Sequence, residues 1–241
     1  MLLAAWWGFV GGAALLLGAL LGIYLRASNR VIGIIMAFGA GVLISALAFE
    51  LTSEAYNQSG GVAVVLGLVG GSVVFFVGDW IIDRHGGHRR KSPNGPQEGA
   101  GPTTLVLGAL LDGIPESAAI GVSLIGGGHV GIPVVAAVFL SNVPESLSAS
   151  SGMHKAGRST RYILGLWLAV LAASTIAAAL GYGVLSGASG DVIAVIEAFA
   201  AGAILTMLAD TMMPEAMEHA GALVGLVTVA GFACAFLLSM A

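Results

Sequence analysis

Apolar stretches of about twenty residues, separated by short polar or glycine-rich breaks, run from one end of the chain to the other. Eight are marked out, at roughly 2–25, 31–53, 61–82, 103–125, 130–152, 162–185, 191–214 and 220–240. A helix rises about 1.5 Å per residue, so about 20 apolar residues match the roughly 30 Å hydrocarbon layer of a bilayer. The pattern predicts an all-α integral membrane protein with eight transmembrane helices in one domain. One break is long: 83–102 reads DRHGGHRRKSPNGPQEGAGP, polar and rich in Gly and Pro, and is expected to be a flexible loop.

Composition strengthens this picture. The chain has 241 residues, 57% of them hydrophobic and 9% charged, where a soluble domain carries about 25% charged residues. The mean hydropathy is +0.97. A single cysteine, Cys234, excludes an intrachain disulfide framework and a multi-cysteine metal cluster. The first apolar run has no basic residue before it and is longer than a signal-peptide core, so it is expected to remain as the first span.

Every Lys and Arg falls in, or at the edge of, three alternate connectors: Arg26 and Arg30; Arg84, Arg89, Arg90 and Lys91; Lys155, Arg158 and Arg161. The positive-inside rule places these connectors in the cytoplasm and both termini outside. In a bacterial cell that means the inner membrane, with the lipid bilayer as the main partner and no nucleic acid.

Residues 37–55 (AFGAGVLISALAFELTSEA) and 198–216 (AFAAGAILTMLADTMMPEA) align without gaps. The two segments belong to spans expected to run in opposite directions, so the repeat is expected to be inverted, a common construction of secondary transporters. Spans 4 and 5 form a second pair, with Leu111-Asp112-Gly113-Ile114-Pro115-Glu116-Ser117 matching Leu140-Ser141-Asn142-Val143-Pro144-Glu145-Ser146. The expected arrangement is 3+2+3.

The acids of these two spans are costly in lipid. A carboxylate at the bilayer centre costs about 2.5–3.5 kcal/mol on insertion scales. Asp112 and Glu116 are at i and i+4, on one helical face, and Ser141 and Glu145 repeat that spacing, with Asn142 one turn behind Glu145. No Lys or Arg lies within a span, so these acids are expected to lack a permanent counter-charge. Each proline removes a backbone donor, freeing a carbonyl of the preceding turn, at Leu111 and at Leu140, and the two helices are expected to be broken there. Carboxylates with backbone oxygens make a cage for a hard cation. The expected metal site is Asp112, Glu116, Asn142 and Glu145, between helices 4 and 5. Ser117, Ser141 and Ser146 are possible auxiliaries. Glu50, Glu54 and Glu197 lie toward the outside, and Asp210, Glu215, Glu218 and His219 toward the inside, as possible stations on a cation path or simply as solvated interfacial acids. Asp79, Trp80 and Asp83 mark the inner edge of span 3. His85 and His88 form an H-x-x-H in the long loop that could hold metal weakly. His129 falls in an outer turn, His154 in a basic inner loop, and Met207 reads as packing.

At spans 4 and 5, DGIPESAAIG and SNVPES, the chain resembles the ZIP (Zrt/Irt-like) family of divalent metal transporters, and the resemblance extends over essentially its whole length. The family typically has H-N-x-P-E-G in the fourth helix and a D/H/N-x-P-E step in the fifth. Glu116 and Glu145 match that pattern directly, Asp112 and Asn142 in position only. Both P-E steps here are followed by Ser rather than Gly, and span 6 (162–185) holds no acid for a second metal. The resemblance implies a homodimer that carries divalent ions, zinc by family expectation. An all-oxygen site suits Mn²⁺ or Fe²⁺ better than a histidine site would, and Cd²⁺ is a further candidate cargo. Two other functions fit the same residues: a proton- or monovalent-cation-coupled carrier, and a non-transporting metal sensor. An enzyme is not expected, since the chain has no H-E-x-x-H pair, no G-x-S-x-G elbow and no cysteine placed as a nucleophile.

Overall fold

A computed structural model describes residues 1–25, 27–88, 90–94, 101–125 and 132–240. Arg26, Arg89 and His129, which enter the charge and histidine arguments above, lie outside the described residues. So do 95–100 of the long loop, most of the turn between spans 4 and 5, and residue 241.

The described chain is helical, with no strand among its residues. In order come α1 (Leu2–Tyr24), α2 (Asn29–Ala46), α3 (Ser53–Ile82), α4 (Pro102–Val122), α5 (Ile132–Lys155), α6 (Thr160–Leu185), α7 (Gly190–Met207), α8 (Met213–Ala220) and α9 (Val224–Ser239). Six helical runs are long and apolar enough to cross a membrane. Two of them are far longer than one crossing needs: Asn29–Gly87 has 59 residues and Gly190–Ser239 has 50. Each is interrupted by a glycine in the left-handed region, Gly60 (φ 74°) and Gly221 (φ 60°), where an L side chain would be strained.

The repeat seen in the sequence recurs in the backbone at one constant displacement. α2 begins at 29 and α7 at 190; α2 ends at 46 and α7 at 207; both differences are 161. The N-cap serines Ser28 and Ser189 are the same distance apart, and so are Gly60 and Gly221. After each of the two helices comes a π-helical turn, Leu47–Thr52 and Leu208–Met212. Such turns carry one extra residue, leave the regular bonding ladder locally, and cluster at functional positions.

The outside of the bundle is apolar and the inside is partly charged. Val62, Leu66, Val69, Leu226, Val229 and Leu237 are exposed, whereas Asp112, Glu116, Glu145, Arg90, Lys91 and Glu197 are buried. That reversal of the soluble pattern suits a hydrocarbon surrounding. The apolar interior falls into two main clusters. One joins α2, α5 and α7 through residues such as Met36, Leu43, Val138, Ile204 and Met207. The other joins α1, α4, α5 and α6 through Leu15, Leu105, Met153, Ile163 and Trp167. α4 changes cluster between Ala109 and Ala119, and α5 between Leu147 and Ala149. Asp112 and Glu116 lie in that interval of α4, and Glu145 stands at its edge on α5.

Candidate cation site between α4 and α5

α4 and α5 run unbroken through Pro115 and Pro144, contrary to the expectation of broken helices. Two serines steady the proline-bearing turns. Ser117 Oγ donates to the Gly113 carbonyl at 2.7 Å, and Ser146 Oγ donates to the Asn142 carbonyl at 2.6 Å. These are the same position of the shared P-E-S pattern making the same bond one turn back. Ser141 Oγ donates to Val138 O at 3.0 Å, and Asn142 Nδ2 donates to Gly11 O of α1 at 3.1 Å. Ser117 and Ser146 thus spend their O–H on helix carbonyls and Asn142 one of its two N–H groups, so oxygen lone pairs and one Asn142 N–H remain to face a ligand.

The acids do not lack a counter-charge, which corrects the reading from span positions. The segment 90–94 of the long connector, expected to be a solvated loop, reaches into the bundle as a strap and buries Arg90, Lys91 and Ser92. Lys91 Nζ is 3.3 Å from Asp112 Oδ2 and 3.2 Å from Glu145 Oε2, so one ammonium joins α4 to α5. Arg90 bridges a second pair of helices. Its Nη1 is 2.5 Å from Asp79 Oδ1 on α3, and its Nη2 is 3.0 Å from Asp112 Oδ1. Burial by itself would lower the Arg90 pKa, but Asp112 and Asp79 outweigh it and hold the guanidinium above its ordinary value.

The strap is fastened along its length. Ser148 Oγ donates to the Lys91 carbonyl, and Lys155 Nζ donates to Pro93 O at 2.7 Å and to Asn29 Oδ1 at 3.0 Å. Asn29 also bonds Asn94. Arg90 lies flat on α4 at Gly108, where a Cβ would collide with its side chain. Closer to α3, His88 Nδ1 is 3.4 Å from Asp83, and His85 Nδ1 is 2.8 Å from Ile81 O, so the two loop histidines have different partners.

Glu116 is the exception among the acids. It is 1% exposed and, unlike Asp112 and Glu145, makes no ion pair among the described residues; the Ser141 hydroxyl is its hydrogen-bonding neighbour. Glu145, Lys91, Asp112 and Ser141 are its polar surroundings. Among the described residues no three of His, Cys, Asp and Glu close into a metal cage. The acids expected to form one are brought to the same place, with Lys91 between two of them.

A cavity of about 270 Å³ opens beside the strap, lined by Arg90, Lys91, Asp79, Asp210 and Glu215 among others. Glu215 is 3.3 Å from His219 Nε2, at i and i+4 on α8. So Asp210 and Glu215 belong with this chamber, and His219 is in contact with Glu215. Glu50 does not line it and has Glu54 as its charged neighbour. Met207 is fully buried in apolar packing.

Span positions miss Arg90, Lys91 and the part played by Asp79, because periodicity assigns connectors to solvent. One signal is available in the sequence: three buried acids with no cation in any span, and a run of Arg and Lys in the connector that leads into α4. Comparison with known protein families and with curated proteins finds no match to this chain.

Proposed function

We propose that the chain is an integral membrane carrier of divalent cations, with Glu116 and Glu145 bridging the ion and Asp112 and Asn142 completing its shell. The observation that carries this reading is the Glu116 carboxylate, buried in the bundle with no cation paired to it among the described residues. A carboxylate so placed is costly unless a cation or a proton joins it. In this reading the long helical runs reverse at Gly60 and Gly221, giving eight crossings as 3+2+3. The 161-residue recurrence of helix, π turn and glycine supports an inverted pair. The acid-lined chamber becomes the cytoplasmic mouth, the termini lie outside, and movement of one helix group against the other opens the site to each side in turn. The P-E steps that resemble the ZIP family point the same way, toward an inner-membrane homodimer carrying zinc or, with oxygen donors alone, Mn²⁺ or Fe²⁺.

One observation favours a second reading. Asp112 and Glu145 already share Lys91, which leaves Glu116 as the one of the three acids with no ion pair among the described residues, a carboxyl of the kind that relays protons. A proton- or monovalent-cation-coupled carrier would use it so.

The test is uptake of Zn²⁺, Mn²⁺, Fe²⁺ and Cd²⁺ into vesicles holding the purified protein. Uptake is expected for at least one of these ions, and to fall to the level of empty vesicles in the Glu116→Ala/Glu145→Ala double variant. Unchanged uptake in that variant removes the site assignment. Proton-driven flux with no divalent binding selects the second reading, and metal binding without flux selects a sensor.

A further inference from the structure

The strap fills the space between α4 and α5 with positive charge, and does so through contacts made for it. Lys91 Nζ reaches a carboxylate of each helix at 3.2 and 3.3 Å, the two helices a bound ion would also join. Ser148 holds the Lys91 carbonyl, Lys155 holds that of Pro93, and Gly108 leaves room for Arg90.

We infer that Arg90 and Lys91 act together as the specificity-determining pair of this site, with Lys91 the tethered cation in the cargo's place, and that the pair yields to a divalent ion but not to a monovalent one. This rests on the carrier reading above. Arg90 and Lys91 together carry the charge of one divalent ion. Exchange of the strap for such an ion leaves the balance against Asp79, Asp112, Glu116 and Glu145 unchanged. Exchange for a monovalent ion removes one positive charge from the set and leaves one more carboxylate uncompensated in a low-dielectric interior, which is strongly unfavourable. Glu116, the one of the three acids that no ion pair holds among the described residues, is the first point of attachment for the incoming ion. The displaced side chains have somewhere to go, since the 270 Å³ chamber is lined by Arg90 and Lys91 themselves and by Asp210 and Glu215. A lysine suits this exchange better than an arginine, because its ammonium is a compact point charge on a flexible stem.

Two measurements on the full-length chain test the inference. In a Cys234→Ser background, Ser92→Cys places a thiol on a residue that is fully buried in the docked strap. Maleimide labelling is expected to be slow, to be accelerated by Mn²⁺, and to be unaffected by Na⁺. By calorimetry, Lys91→Met is expected to bind Mn²⁺ roughly tenfold or more tightly than the unaltered chain, because the strap no longer competes. Fast labelling without Mn²⁺, acceleration by Na⁺, or Mn²⁺ binding with the thiol still protected and no gain from Lys91→Met each overturns the inference while the carrier reading stands. Absence of Mn²⁺, Zn²⁺, Fe²⁺ and Cd²⁺ binding by either chain overturns both. Should Lys91→Met fail to fold, the labelling experiment decides alone, since it keeps Lys91.

Discussion

Replacing Gly202 with leucine is expected to leave little or no folded protein. A Cβ at this position of α7 would lie within the carbonyl oxygen of Leu68 on α3, and at its counterpart, Gly41 of α2, within that of Thr228 on α9. In both cases the obstacle is backbone, which cannot swing aside as the tip of a side chain can. Overpacking by even small groups costs about 1–3 kcal/mol, and here four carbons must enter where none fits. Helix association in lipid depends on such close approach, because apolar side chains gain little by leaving an apolar solvent. Gly165 on α6 supplies the control, since nothing lies within 4 Å of a Cβ built there. Size-exclusion profiles and thermal midpoints in detergent compare the two leucine variants. Equal profiles would mean that α3 and α7 are not in backbone contact.

The second large effect is expected at Asp112. Its carboxylate answers both Arg90 and Lys91, so Asp112→Ala leaves Lys91 with Glu145 and removes from Arg90 the carboxylate on α4. Removing one partner from a buried ion pair costs about 3–5 kcal/mol. That is enough to release a strap held otherwise by a few hydrogen bonds. Limited trypsin digestion reads the release directly, as new cleavage after Arg90 or Lys91, both of which are buried in the docked strap. Asp83→Ala serves as comparison. Asp83 is 34% exposed and 4.0 Å from Arg90, so its loss is worth about 1 kcal/mol at most. A strap equally resistant to trypsin in both variants would show that the ion pairs do not hold it.

The helices were legible from hydrophobic runs because membrane spans of about twenty residues leave a signal that few other structures produce. The repeat was legible over 37–55 and 198–216, where Phe and Glu match in register. Its extension to Ser28 and Ser189, and to Gly60 and Gly221, rests on single residues whose role only backbone geometry reveals. The carboxylates of α4 and α5 stood out because charge inside an apolar run is costly. The partner of two of them did not, since Lys91 enters from a connector and no periodicity relates a connector to a helix interior. The prolines misled in one respect. Pro115 and Pro144 promise breaks, but Ser117 and Ser146 bond back to the preceding turns and the helices continue.

The strap also ties the inheritance of five positions together. Asp79, Arg90, Lys91, Asp112 and Glu145 form one connected set of charges, reaching from α3 through the connector to α4 and α5. A lineage that loses the lysine leaves Glu145 without its ion-pair partner, and one that loses either acid keeps a buried ammonium short of a partner. Drift at any one position is therefore tolerated only alongside change at another. In descendants of this chain these residues should be gained and lost as a group, while exposed charges such as Arg161 vary independently.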